Sequence, residues 1–139
     1  MVQQRGSVLK FCMLIKRRQD MSEEDFHKYW TEVHAPIVEK WLAKHGVIRY
    51  VQYHTPTQTT TQSTEVWTGL GGANVLQFDG HVELTVPNVE CLKRALEDAY
   101  YQSDVLPDEG KFIDAANSFR TCGWEEVKIE VGNVLRETQ

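Results

Sequence analysis

The sequence predicts an α+β fold with the element order βαββαβ, in which a four-stranded antiparallel sheet packs against helices on one of its faces. Two segments, residues 7–16 and 75–86, place apolar side chains at every second position, the period that half-buried strands show. Two other segments repeat apolar residues at spacings of three and four, which is typical of amphipathic helices. A chain of 139 residues has room for one such domain, which we expect to span residues 1–139.

The first strand and the first helix have the clearest local signals. Along residues 7–16 the apolar positions are Leu9, Phe11, Met13 and Ile15. Ser22 and the three acidic residues after it supply the cap and the negative charge that favour a helix start. The apolar face of this helix consists of Phe26, Trp30, Val33, Ile37 and Trp41. Pro36 lacks an amide proton and crowds the preceding turn, so we expect a kink or break near residues 34–36.

The remaining elements follow from shorter signals. A second strand is expected at residues 47–55, which are rich in β-branched and aromatic side chains. Residues 56–73 predict a flexible loop, and the isolated Trp67 within it favours a lid. A second helix begins at Pro87, after the third strand, and its apolar face consists of Val89, Leu92, Leu96 and Tyr100. The fourth strand is predicted within residues 119–131, which end in alternating apolar and charged positions.

This element order is the split βαβ arrangement of ferredoxin-like folds. Its helices cover one face of the sheet and leave the other face open. We therefore expect a homodimer, in which a second copy covers that open face. The alternative is a monomer whose outer face is polar, as in many antiparallel sheets.

Composition excludes several classes of partner. The chain has 41% hydrophobic and 25% charged residues, as soluble globular proteins do. Twenty acidic against 15 basic side chains give a net charge of -5, so we expect no nucleic-acid partner. No apolar run approaches the roughly 20 residues of a membrane span or resembles a secretory signal, and we expect a cytoplasmic protein without a membrane partner. Three cysteines without CxxC spacing indicate neither a disulfide framework nor a zinc site.

The candidate chemistry rests on histidines and on polar rows of the sheet. None of the five histidines has a spacing typical of metal ligands, and no glycine-rich loop has a phosphate-binding context, so we expect no metal and no cofactor. His34 precedes the expected helix break and could exchange protons near neutral pH, or it could simply bond the broken backbone. Two polar rows could line a pocket or face water, namely Tyr50, Gln52 and His54 on the second strand and Asp79, His81 and Glu83 on the third.

The run F-x-x-Y-W-x-x-x-H-A-P, from Phe26 to Pro36, resembles the signature of the EthD-domain family in the dimeric α+β barrel superfamily. Residues 50–54, 78–80 and 107–114 resemble later blocks of that family, whereas residues 57–64 resemble it least. The chain is most similar to small fungal EthD proteins of aromatic polyketide pathways, which include decarboxylases and dehydratases. The resemblance implies a homodimeric α+β barrel with a cavity between each sheet and its helices.

The resemblance further implies a lyase that needs no cofactor and removes CO2 from an aromatic polyketide carboxylic acid. The substrate's own carbonyl or phenol would accept the electrons. We expect His34 to be the general acid and base, Tyr50 or Tyr53 to donate a hydrogen bond to the carbonyl, and His54 or His81 to be a second proton carrier. Asp79 could orient an imidazole. The aromatic side chains expected to contact the substrate are Phe26, Tyr29, Trp30, Tyr53 and Trp67.

Three other functions are compatible with the same residues. A polyketide cyclase or dehydratase needs the same acid and base groups. A cofactor-free monooxygenase would let an electron-rich phenolate react with O2. A dimeric ligand-binding accessory protein would use the cavity without catalysis.

Overall fold

A computed structural model gives the fold of the chain and describes residues 8–68 and 74–135. The main sheet is antiparallel and has four strands in the spatial order β2-β3-β1-β4. The strands are β1 (Leu9–Ile15), β2 (Arg49–His54), β3 (Gly80–Val86) and β4 (Phe119–Gly123). Their order along the chain confirms the predicted α+β fold with a βαββαβ core. Within the described residues, no helix is long and apolar enough to cross a membrane.

The register of the sheet decides which side chains share a face. Residues that lie opposite each other on neighbouring strands point to the same side of the sheet. Met13 lies opposite Val82 on β3 and opposite Arg120 on β4, and this row faces the helices. We call that side the inner face. Leu14 lies opposite His81, and His81 lies opposite Tyr53, so this neighbouring row occupies the outer face.

The first helical segment continues through Pro36, so of the expected kink or break the break is wrong, and the helix is irregular just before this position. It consists of α1 (Glu23–Tyr29), a wide π-helical turn (Trp30–His34) and α2 (Ala35–Lys44). The side chain of Ser22 accepts the amide proton of Asp25 at the start, as predicted. The Ala35 amide donates a hydrogen bond to the carbonyl of Trp30, five residues earlier in the chain. This wider turn accommodates a proline that has no amide proton and crowds the preceding turn, so the helix does not end.

The segment predicted as a loop contains a helix, α3 (Thr57–Trp67), which is a second correction. None of its residues is buried, so it has no apolar stripe that could have identified it from the sequence. The helix begins after Pro56, and the hydroxyl of Thr59 donates to the Pro56 carbonyl at 2.8 Å. The Thr57 amide also donates to Glu23 Oε1, which joins α3 to α1. Residues 69–73 of the predicted loop lie outside the described residues.

The second half of the chain supplies α4 (Val89–Glu97), a second π-helical turn (Tyr101–Val105) and α5 (Leu106–Glu109). Asn88 accepts the amide proton of Cys91 and caps α4. The last two strands form a separate hairpin, β5 (Ile129–Glu130) and β6 (Asn133–Val134), so the fourth strand of the main sheet ends at Gly123. The prediction to residue 131 was wrong because the alternating residues belong to this hairpin, which turns at Val131 and Gly132 with positive φ angles of 48° and 78°.

The core lies between the inner face and the helices and has two buried clusters. One cluster contains Ile15, Phe26, Trp30, Val82 and Phe112. The other contains Val38, Trp41, Leu42, Ala95 and Val105. Tyr50 and Leu84 pack against both clusters. These two sheet residues therefore lie at the boundary where the candidate site is found.

Candidate active site

A cavity of about 350 Å³ lies between the inner face of the sheet and the helices. Most of its lining is apolar and comes from β1, β3, α2 and α4. Its polar and titratable side chains include His34, Tyr50, Tyr101, Glu109 and Arg120. A chamber of this size is in the range of small-molecule sites, in which a few polar groups orient an otherwise apolar ligand.

His34 and Asp108 form a buried pair at this cavity. Asp108 is 3% exposed and His34 is 6% exposed. His34 Nδ1 lies 2.7 Å from Asp108 Oδ2, and Tyr29 donates its hydroxyl proton to Asp108 Oδ1 at 2.5 Å. The first π-helical turn places His34, and α5 places Asp108 on the facing element. The carboxylate therefore accepts from two donors at once, one on each oxygen.

Burial shifts the pKa of both side chains that bond Asp108, namely His34 and Tyr29. It lowers the pKa of His34, and the nearby Asp108 carboxylate opposes that shift. Asp108 accepts the Nδ1 proton, so Nε2 is the nitrogen that remains for a ligand. Burial, followed by the bond to Asp108, raises the pKa of Tyr29 to about 12, so its hydroxyl keeps its proton. Tyr29 is thus a partner of Asp108 as well as one of the predicted aromatic residues.

Tyr50 brings a second proton donor to the cavity. Gln52 Nε2 donates to the Tyr50 hydroxyl oxygen at 3.0 Å and to the Trp30 carbonyl at 3.0 Å. The amide thereby fixes the phenol oxygen and leaves the phenol proton for another acceptor. Burial raises the pKa of Tyr50, which keeps the hydroxyl protonated. His34 and Tyr50 are the two predicted catalytic side chains that the structure brings together at one cavity.

His54 lies next to this group but does not line the cavity. Its Nδ1 is 2.6 Å from His27 Nδ1, so one imidazole donates and the other accepts. Its Nε2 is 3.2 Å from Gln52 Oε1, which links it through Gln52 to Tyr50. Burial, and then the neighbouring His27, lowers the pKa of His54. The structure makes His54 a support for Gln52 instead of a residue that contacts a ligand in the cavity.

Asp79, His81 and Tyr53 are placed away from the cavity, which corrects the expected grouping. Asp79 precedes β3, and its carboxylate accepts the Arg17 amide proton at 2.9 Å and pairs with Arg17 Nε at 3.4 Å. His81 and Tyr53 lie opposite each other on the outer face, with ring centroids 5.0 Å apart. The alternation of the strand separates them from the inner face, because Val82 takes the inward position.

The remaining aromatic candidates divide between core and surface. Phe26 and Trp30 are fully buried in the core, where their ring centroids lie 5.6 Å apart, and they do not line the cavity. Trp67 lies on α3 and is 44% exposed. A lid function for its segment stays a prediction.

Four residues of the site were not predicted from the sequence: Tyr101, Asp108, Glu109 and Arg120. Asp108 and Glu109 lie in residues 107–114, which carried the family resemblance but had no role assigned. Arg120 lies on β4, whose short and exposed sequence has no alternation to mark its inward position. Metal ligation has no candidate within residues 8–68 and 74–135, where no group of three or more His, Cys, Asp or Glu side chains could hold an ion.

The chain is similar to several fungal enzymes along most of its length. Decarboxylase AgnL1 from Paecilomyces divaricatus is 32% identical over 123 residues, which cover 88% of this chain and 82% of that protein. Dehydratase CTB10 from Cercospora beticola is 27% identical over 119 residues, which cover 86% of this chain and 90% of that protein. These relatives carry the names of two different reactions.

Solved structures share the fold at low sequence identity. An EthD family protein from Bacillus halodurans has a TM-score of 0.57 and 17% identity, covering 85% of this chain and 98% of that one. A dimeric ferredoxin-like protein from Bacteroides fragilis has a TM-score of 0.55 and 11% identity, covering 89% of this chain and all of that one. Both likenesses confirm the predicted ferredoxin-like class. The sequence profile of the EthD domain matches residues 18–116, which include His34, Tyr50 and Asp108, and the chain belongs to the EthD domain family.

Proposed function

We propose that this protein is a lyase that removes CO2 from an aromatic polyketide carboxylic acid in fungal secondary metabolism, without a cofactor. The observation that carries the proposal is the buried Asp108–His34 pair at an apolar cavity, with the Tyr50 hydroxyl on the same cavity. The name decarboxylase, which relatives such as AgnL1 carry, supports this reaction class.

Loss of CO2 requires a place for the electrons of the breaking bond. In a β-keto or ortho-hydroxyaryl acid, the pair from the carbon–carbon bond moves toward the substrate's own carbonyl or phenol oxygen. A hydrogen bond from the Tyr50 hydroxyl would stabilise the charge that develops on this oxygen. The apolar walls strengthen that interaction because they exclude water.

The carbon that loses CO2 must then gain a proton. His34 would deliver it from Nε2, after taking a proton from solvent when the anionic substrate binds. Asp108 stabilises the imidazolium and fixes its orientation through Nδ1. The sum is one carboxylate and one proton converted to one C–H bond and one CO2, so no oxidant or reductant is needed.

A dehydratase is the second candidate, and the similarity to Dehydratase CTB10 favours it. His34 would then remove a proton next to a carbonyl, and a hydroxyl would leave as water after protonation. The same pair of residues carries both reactions, and the position of the substrate in the cavity decides between them.

The experiment is mass spectrometry of hydroxylated anthrone and anthraquinone carboxylic acids after incubation with wild-type protein and with His34→Gln. We expect the wild type to release CO2 and the variant to lose at least about a hundredfold in rate. Loss of water with the carboxyl retained would establish the dehydratase instead. Consumption of O2 would indicate a monooxygenase, and binding without any conversion would indicate an accessory protein.

A further inference from the structure

Arg120 is a positively charged residue of the cavity lining. The reaction described above assigns it no role. Arg120 lies opposite Met13 in the sheet, so it belongs to the inner row, and it lines the main cavity. No other described residue forms a hydrogen bond or a close ion pair with its guanidinium group. It also lies beyond residues 18–116, the part of the chain that matches the EthD domain.

Arg120 stands between two cavities. A second cavity of about 120 Å³ shares Met13, Glu109 and Arg120 with the main one. Its other lining includes Leu106, Ile113 and Phe119, so it is largely apolar. A ligand group bound to Arg120 from the main cavity would therefore point at the entrance of a small apolar compartment.

Glu109 lines both cavities beside Arg120, and burial acts against the charged form of its carboxyl group. Burial raises the pKa of Glu109, Arg120 partly opposes this shift, and Asp108 adds to it. A carboxyl group that holds its proton to higher pH neutralises a neighbouring guanidinium less and repels an incoming anion less. Arg120 is thus the group of this lining that would attract a negatively charged ligand.

We propose that Arg120 binds the carboxylate of the substrate and so selects acids over their neutral analogues. The inference rests on the proposed lyase function and names the group by which that site recognises its substrate. Arginine suits this role because its planar fork can give a carboxylate two parallel hydrogen bonds.

This position also explains how the product would leave. As the carbon–carbon bond breaks, the negative charge moves from the carboxylate to the oxygen held by Tyr50. The departing CO2 is neutral, so it loses the attraction of Arg120 and suits the small apolar cavity beyond it. Arg120 would therefore act on the bound acid but would not retain the product.

The test compares an anthraquinone carboxylic acid with the corresponding carboxamide by isothermal titration calorimetry. We expect the wild type to bind the acid at least about tenfold more tightly than the amide. Arg120→Gln should lose that preference and bind both ligands as the wild type binds the amide. Arg94→Gln is the matched control, because Arg94 is exposed on α4 and does not line the cavity.

Two results would overturn the inference: a wild type that binds acid and amide equally, or an Arg120→Gln variant that keeps the wild-type preference. Circular dichroism of each variant establishes that it is folded, and Arg120→Lys should keep part of the preference because it keeps the charge. Glu109→Gln should still bind the acid, because the substitution removes a carboxyl group that can carry negative charge beside Arg120.

The inference and the proposed function fail in different ways. Acid-selective binding that depends on Arg120, combined with no release of CO2, would reject the lyase reaction and retain the carboxylate site. Release of CO2 with unchanged KM in Arg120→Gln would retain the lyase and reject the role of Arg120.

Discussion

At the scale of residues, His34 differs from the other candidate histidines in having a buried carboxylate partner, Asp108. His27, His54 and His81 are all partly buried, but each is paired with another ring or faces outward. His34 alone among the candidate histidines lines the main cavity and has a carboxylate on Nδ1. A carboxylate in this place fixes the tautomer and stabilises the protonated ring, which is what a proton carrier needs.

Asp108→Asn tests this pairing with almost no change in volume. The amide cannot stabilise an imidazolium, so we expect a loss of about 10² to 10⁴ in kcat, measured as CO2 release. Asp104→Asn is the control, because Asp104 lies exposed on the preceding turn. Wild-type turnover in Asp108→Asn would contradict the proposed pairing.

The His27–His54 pair predicts an acid-sensitive stability. Burial lowers the pKa of both rings from the ordinary value of 6.5, so the unfolded chain binds these protons more readily than the folded chain. The free energy of unfolding should therefore be fully retained above pH 6.5 and decline as the pH falls below it. Urea denaturation across this range should give a shallower decline for His54→Gln. An equal pH dependence in variant and wild type would contradict this prediction.

At the scale of elements, the packing of α1 and the following π turn against β3 holds the site together. Gly80 begins β3 and makes this packing possible, because a Cβ at this position would overlap the ring of Trp30. Trp30 is fully buried, so we expect its ring to be held by close packing on all sides. The carbonyl of Trp30 also accepts the Gln52 amide that fixes Tyr50, so this contact reaches the cavity.

Gly80→Ala should therefore destabilise the protein by about 1–3 kcal/mol, the usual range for overpacking. Gly123→Ala is the matched control on β4, because a Cβ there would meet nothing within 4 Å. Urea denaturation of both variants measures the difference. Equal stability of the two would show that Trp30 can move and that the contact is not tight.

At the scale of the whole molecule, the outer face of the sheet presents a nearly continuous row of large side chains. Tyr53, His81, Leu14 and Phe119 lie opposite one another across all four strands. Tyr53 and Phe119 are 52% and 60% exposed in the single chain. An exposed row of this kind is typical of a surface that binds another protein. A homodimer through the outer face is the arrangement that we propose.

Sedimentation at micromolar concentration should therefore give the mass of a dimer. Tyr53→Glu would place a charge in the row, and we expect it to shift the protein to monomer. Val66→Glu is the control, because Val66 is exposed on α3, away from the sheet. A monomeric wild type, or a Tyr53→Glu variant that dimerises as well as the wild type, would contradict this arrangement.

Local sequence signals were sufficient for most of the fold. The alternation of β1 and β3 and the apolar stripe of the first helix reflect burial of one face, which leaves a periodic record in the chain. The stripe predicted for α4 is not its buried face, because Val89 and Leu96 are exposed whereas Cys91 and Ala95 are buried. The signals failed where burial is absent. Helix α3 has no buried residue, and the alternating positions after Trp124 belong to an exposed hairpin.

The βαββαβ order and the family resemblance could be predicted from the sequence, which also marked His34 as a candidate. The partner of His34 was decided only by the tertiary structure, because Asp108 is 74 positions away and its contact depends on how α5 packs against the π turn. The tertiary structure also decided which of the polar strand residues face the cavity and which face outward. A period of two shows that His81 and Val82 face opposite ways, and the packing of the helices decides which of those faces contains the site.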